Sequence, residues 1–163
     1  MAMKQISKRV YIVDDSLTIR AMMETLIARN QDLEICGMAA NAETALVDIN
    51  RHLPDIILLD MALPGMDGLA FLEAIQNHWH PMHVILVSGA AKRCSETCIA
   101  ALDRGAMACF DKSKIIAMAD EFLALMEAAA TGKIDTKRTY SDAVSLHVLC
   151  DIPINKETTA GRL

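Results

Sequence analysis

Short runs of large apolar residues alternate along the chain with stretches whose apolar positions recur every three or four residues. The runs are VYIV (10–13), LEICGMA (33–39), DIILLD (55–60), HVILVS (83–88) and MACF (107–110). Each is too short for a buried helix and is dominated by β-branched or aliphatic side chains, so each predicts a strand. The stretches between them predict helices. Ile19, Met22, Met23, Leu26 and Ile27 form one stripe behind Ser16 as N-cap; Ala42, Ala45, Leu46 and Ile49 form another behind Asn41, with Pro54 as the stop. A third helix runs from about Leu69 to His78 and carries Leu72, Ile75 and Trp79. A fourth passes through residues 93–104 and closes near Gly105, and the last buries Ile115, Met118, Ala119, Phe122, Leu123 and Met126.

Five strands that alternate with helices, and that read as solid apolar runs, predict an α/β fold with a parallel sheet covered on both faces. The crossovers of such a sheet are right-handed. Ligands bind outside the carboxyl ends of the strands, so the residues that follow each strand carry the chemistry. Here they are Asp14 and Asp15 after the first strand, Asp60 after the third, Ser88 after the fourth and Lys112 after the fifth.

Three carboxylates on one edge repel one another and raise each other's pKa unless a cation sits among them. Mg2+ suits such a site, because it takes oxygen ligands and is held by one or two carboxylates together with phosphate oxygens. A carboxylate is also a nucleophile toward a phosphoryl group and gives an aspartyl phosphate. Lys112 and the metal would neutralise the equatorial oxygens, and the Ser88 hydroxyl would donate a hydrogen bond.

Composition narrows the classes. The 163 residues fit one domain with about thirty residues to spare. A net charge of -5 argues against a sequence-independent nucleic-acid binder. No stretch approaches the ~18 unbroken apolar residues of a membrane span and the N-terminus lacks a secretory signal, so a cytoplasmic protein is expected. Five cysteines without framework spacing suit reduced thiols. Cys94 and Cys98 continue with Ala101 and Leu102 as one helical stripe and read as core packing, not as a metal site.

VYIVDDS, LLDMALPGMDG, ILVSGA and CFDKS resemble the receiver domain of two-component response regulators of the chemotaxis-regulator type. The resemblance implies a flavodoxin-like (βα)5 fold with strand order 2-1-3-4-5 over residues 8–130. It implies that Asp60 accepts a phosphoryl group from a histidine kinase, a phosphotransferase or a small phosphodonor. Asp14 and Asp15, with Asp60 and the backbone carbonyl of Ala62, would hold Mg2+, and Ser88 and Lys112 would receive the phosphoryl oxygens. The downstream protein target would be engaged through the fourth helix, fifth strand and fifth helix.

The chain departs from that family at four places. The aromatic switch position three before the lysine is Cys109, with Phe110 one further on; either Phe110 takes over part of the switch role or the switch runs without an aromatic rotamer change, and since neighbouring strand residues face opposite ways, core packing is the favoured reading of Phe110. Ser113 replaces the proline that usually follows the lysine, which predicts a trans bond and a serine that caps the last helix. Ala62 and Ala90, two beyond Asp60 and Ser88, are small where many relatives carry polar groups that position or exclude water, so an altered phospho-form lifetime is expected.

Residues 131–163 read as a C-terminal tail with a polar linker. Val144, Leu146, Val148, Cys150 and Ile152 alternate and suggest an extra strand near 143–152, which could pair with this sheet, a partner or a second copy to make a homodimer. With so short a tail, a stand-alone, non-enzymatic regulator that signals by binding is expected. Three rivals remain open. The chain could be the receiver part of a longer regulator such as a methylesterase, or a receiver-like module that is never phosphorylated. A haloacid dehalogenase-type phosphohydrolase is the third, although that family has an acid where this chain has Ala62.

Overall fold

The computed structural model describes residues 6–89 and 96–132. Its elements alternate as expected: β1 (Lys8–Val13), α1 (Leu17–Ile27), β2 (Leu33–Ala39), α2 (Ala42–His52), β3 (Ile56–Leu59), α3 (Gly68–Ile75), β4 (His83–Ser88), α4 (Glu96–Asp103), β5 (Ala108–Asp111) and α5 (Ala119–Ala130). The strands form one parallel sheet in the order β2-β1-β3-β4-β5, so the flavodoxin-like architecture and its strand order are those the resemblance implies.

The sheet divides the core in two, because successive side chains of a strand face opposite ways. Tyr11, Val13, Ile57, Leu59 and Leu86 pack with Ala45, Ile49, Phe71, Leu72 and Ala101. Val10, Ile12, Ile56, Leu58, Ile85 and Val87 pack on the other side with Met23, Ile27, Phe122 and Met126. Residues Ile56 to Leu59 are fully buried. A central strand with no exposed face holds whatever follows it on a stiff support.

The caps explain where the helices start. Ser16 accepts from the Ile19 N–H, Asn41 from Thr44 and Asp67 from Ala70. Helix α2 stops at Leu53, whose φ of 43° is left-handed, directly before Pro54.

Two boundaries differ from expectation. Helix α3 ends at Ile75, and Trp79 is 72% exposed between His78 and His80 instead of lying in the core; Pro81 follows too closely for another turn. Helix α5 begins at Ala119 behind Met118, which offers no side-chain cap. Ser113 therefore does not cap it and sits in a short 3-10 turn, Lys112–Lys114. Ala90, the packing expected of Cys94 and Cys98, and the strand expected near 143–152 lie outside the described residues and side chains.

Candidate functional site

Asp14 leaves β1 with no exposed surface. Its N–H donates to the Ala39 carbonyl at 3.1 Å, so β2 fixes the turn, and its Oδ1 accepts the Ser16 N–H at 2.8 Å. Asp15 is exposed. Asp60 leaves β3 4% exposed, its N–H donating to the Val13 carbonyl at 2.9 Å and its Oδ1 accepting the Ala62 N–H at 3.0 Å. Ser88 ends β4, also buried, and is in register with Asp111 on β5.

Lys112 follows β5 and reaches back over the edge. Its Nζ is 2.7 Å from Asp14 Oδ2 and 3.0 Å from Asp60 Oδ2. One ammonium thus bridges the acids of two adjacent strands. Asp14, Asp15 and Asp60 each offer a carboxylate oxygen, all within 4.8 Å of one another.

The electrostatics follow from this crowding. Burial, and then the Asp60 charge, push the Asp14 carboxyl above its ordinary value, although Lys112 and the Ser16 N–H pull the other way. Burial opposes the charge on Lys112, but Asp14 and Asp60 more than offset it and raise its pKa. Among the described residues the partner of Asp14 Oδ2 is the Lys112 ammonium, at 2.7 Å and short of ideal hydrogen-bond geometry. A buried carboxylate oxygen held by one displaceable ammonium, beside two further carboxylates, fits a hard divalent cation.

The loop after Asp60 is held from outside. Glu43, in the first turn of α2, accepts the Met66 N–H at 2.9 Å, and that bond lowers its pKa. Gly65 has φ 76°, and a Cβ there would lie 2.6 Å from Glu43 Oε1. At Gly68 a Cβ would stand 2.7 Å from Met61 Sδ and 3.2 Å from the Asp60 carbonyl, so glycine is what lets α3 start this close to Asp60.

Two contacts near the site were not foreseen. Arg20 donates to the Asp14 carbonyl at 2.6 Å and ties α1 to the acidic loop. The buried Asp111 accepts from both the N–H and the O–H of Ser113, at 3.0 and 2.7 Å. A faint signal existed for the second, since aspartate two residues before a serine is a familiar side-chain turn.

Cys109 and Phe110 face opposite sides of β5. Phe110 packs against Phe122 with ring centroids 4.5 Å apart, on the α5 side, whereas Cys109 lies in the cluster that contains Ala101 of α4. Cys109 is disulfide-bonded, which corrects the expectation of reduced thiols throughout; Cys36 is free. Composition has no way to weigh two sulfurs that the fold brings together.

Residues 10–127 match the family described as the response regulator receiver domain. The chain belongs to that family. Receiver domains bind Mg2+ through an acidic pocket of the kind that Asp14, Asp15 and Asp60 form here, and they interact with histidine kinases or phosphotransfer partners. Similar structures include the response regulator domain of Thermotoga maritima CheB, with a TM-score of 0.71 and 27% identity over 77% of this chain and 97% of that one. A CheX–CheY complex with BeF3 and Mg2+ from Borrelia burgdorferi has a TM-score of 0.58 and 27% identity over 71% of this chain and 90% of that one.

Among curated relatives, the protein-glutamate methylesterase/protein-glutamine glutaminase 1 of Xanthomonas campestris pv. campestris is 36% identical over 132 residues, 77% of this receiver chain. The one from Agrobacterium fabrum is 39% identical over 104 residues. The chain spans only 37% and 29% of their lengths. These relatives overturn the expectation of a non-enzymatic protein. That expectation rested on chain length, and in the relatives the matched receiver is one part of a longer enzyme. No helix among the described residues is long and apolar enough to cross a membrane.

Proposed function

We propose that this receiver takes a phosphoryl group onto Asp60 and signals through the change that follows. The observation that carries the reading is the bridging Lys112, 2.7 Å from Asp14 and 3.0 Å from Asp60 on the same sheet edge. Asp14, Asp15, Asp60 and the Ala62 carbonyl would hold Mg2+, which when bound neutralises charge on the phosphoryl oxygens. An Asp60 carboxylate oxygen attacks phosphorus, the bond from phosphorus to the donor breaks, and the donor leaves with its electron pair. Lys112 moves from the Asp14 carboxylate to a phosphoryl oxygen, and the Ser88 hydroxyl donates to another. The fluoroberyllate and Mg2+ in the Borrelia complex support the same chemistry for a related site.

In this reading residues 8–130 are the receiver and 131–163 a tail through which two copies could pair. The face of α4, β5 and α5 meets the downstream target, the donor is a histidine kinase or a phosphotransferase, and the protein works in the cytoplasm. Phe110 stays in the core and Cys109 is tied in a disulfide, so Ser88 at the end of β4 is the group that would answer phosphorylation. Incubation with acetyl phosphate and Mg2+ followed by intact mass tests the reading. A gain of one phosphoryl group, lost in Asp60→Asn, is expected; no gain in the wild type would overturn it.

A second reading concerns what the receiver controls. The methylesterase relatives, of which this chain spans about a third, favour a receiver that regulates an attached methylesterase part. The length of the open reading frame in the source genome decides it.

A further inference from the structure

We propose that Asp111 is a positioning residue whose carboxylate, by clasping Ser113, sets where Lys112 stands between Asp14 and Asp60. The inference rests on the reading of Asp60 as phosphoacceptor and deepens it.

Asp111 is 4% exposed at the end of β5, on an edge that already carries three carboxylates. A further buried acid at such an edge is costly unless it accepts directed hydrogen bonds. It accepts two at one oxygen, from the Ser113 N–H at 3.0 Å and the Ser113 O–H at 2.7 Å. These bonds join the two residues that flank Lys112. The lysine backbone is thereby held in a closed turn, Lys112–Lys114, that follows β5 without a break. Proline, which fixes φ by its ring, has no N–H to give such a carboxylate. Serine at 113 supplies both donors, so the aspartate and the serine work as a unit.

The consequence is specific. Lys112 is the resident counter-charge of Asp14 and Asp60, with contacts of 2.7 and 3.0 Å. A cation entering the cluster competes with it. When the clasp is opened the ammonium loses its fixed place, the carboxylates become more available to Mg2+, and the phosphoryl oxygens lose a positioned partner. Metal affinity and phosphoryl transfer should therefore move in opposite directions, which general damage to the site would not produce.

The test measures the Mg2+ dissociation constant by calorimetry and the initial rate of phosphoryl uptake from acetyl phosphate by intact mass, on the full chain. Asp111→Ala is expected to tighten Mg2+ binding about threefold, because a competing charge is loosened. It should slow uptake at saturating Mg2+ about tenfold, because the lysine is misplaced. Asp111→Asn keeps an oxygen that accepts from Ser113 and should stay within about twofold of wild type in both. Should Asp111→Ala fail to fold, Ser113→Ala, which drops only the hydroxyl bond, should show the same pair of shifts in smaller measure. The proposal is overturned if Mg2+ affinity and uptake rate fall together, if neither changes, or if asparagine fails to rescue. A wild type that binds Mg2+ but takes up no phosphoryl group would remove the proposed function, and the Mg2+ titrations alone would then decide the clasp.

Discussion

Asp55 and Asp60 bracket the same four-residue strand, and the fold uses them in opposite ways. At the amino end, Asp55 Oδ2 accepts the Arg9 N–H at 2.8 Å, its own N–H donates to the Arg9 carbonyl at 2.8 Å, and its carbonyl accepts from His83 at 2.9 Å. It is a clip that sets β3 against both neighbours. At the carboxyl end, Asp60 gives its backbone N–H to β1 in the same manner, but its side chain turns to Lys112 and the other acids. Identical residues at the two ends of one strand thus become a fastener and a reactive group. What separates them is the company that the crossovers bring: a strand's carboxyl end meets the loops that lead into the helices.

The sharpest way to break this comparison is to remove each carboxylate in turn. Asp60→Asn should abolish uptake of a phosphoryl group from acetyl phosphate, and Asp55→Asn should leave it at the wild-type level, both read by intact mass. Next in size, Lys112→Ala should strand the buried Asp14 and lower unfolding free energy by about 3 kcal/mol without Mg2+. Added Mg2+ should restore much of the loss, which denaturant titration with and without the metal would reveal; a loss equal in both conditions would contradict the bridge.

Asp55→Ala should cost about 1 kcal/mol through the lost bond to Arg9, in urea unfolding, with phosphoryl uptake intact. Ala62→Asn places an amide beside the phosphoacceptor and should change the half-life of the phospho-form a few-fold, about the size of one added hydrogen bond to water or phosphate. Equal decay rates would remove Ala62 from the mechanism.

The smallest effect lies at the amino end. Burial holds His83 below its ordinary value of 6.5, against the pull of Asp55. The neutral ring is favoured in the fold, so its contribution is complete above pH 6.5 and is lost as pH falls through the lower folded value. The thermal midpoint should decline gently with acid over that range, and His83→Gln should flatten the decline.

Much of this was legible in the sequence, for a physical reason. Ile56 to Leu59 are apolar on both faces, and no environment suits them except the centre of a covered parallel sheet; once that was read, the position of Asp60 followed. Asp14, Asp15, Ser88 and Lys112 were found by the same rule. The expectations that fail, and the contacts that go unforeseen, concern groups whose state is set by neighbours that hydrophobic periodicity does not weigh. Trp79 continues an apolar spacing but lies past the end of α3, where a proline two residues on decides the matter. Ser113 looks like a cap for α5, yet Asp111, two residues before it, claims both of its donors. Arg20 is one more basic residue on an amphipathic helix until the turn at Asp14 brings a carbonyl within reach.

The environment of Trp79 has a practical meaning for anyone who studies this molecule by fluorescence. It is the sole tryptophan in the sequence, and it stands in water, stacked on His78, on the loop that leads into the amino end of β4. Emission from such an indole should already be red-shifted and open to solute quenchers. It reports on its own loop, while events among the carboxylates at the opposite edge pass without an optical trace.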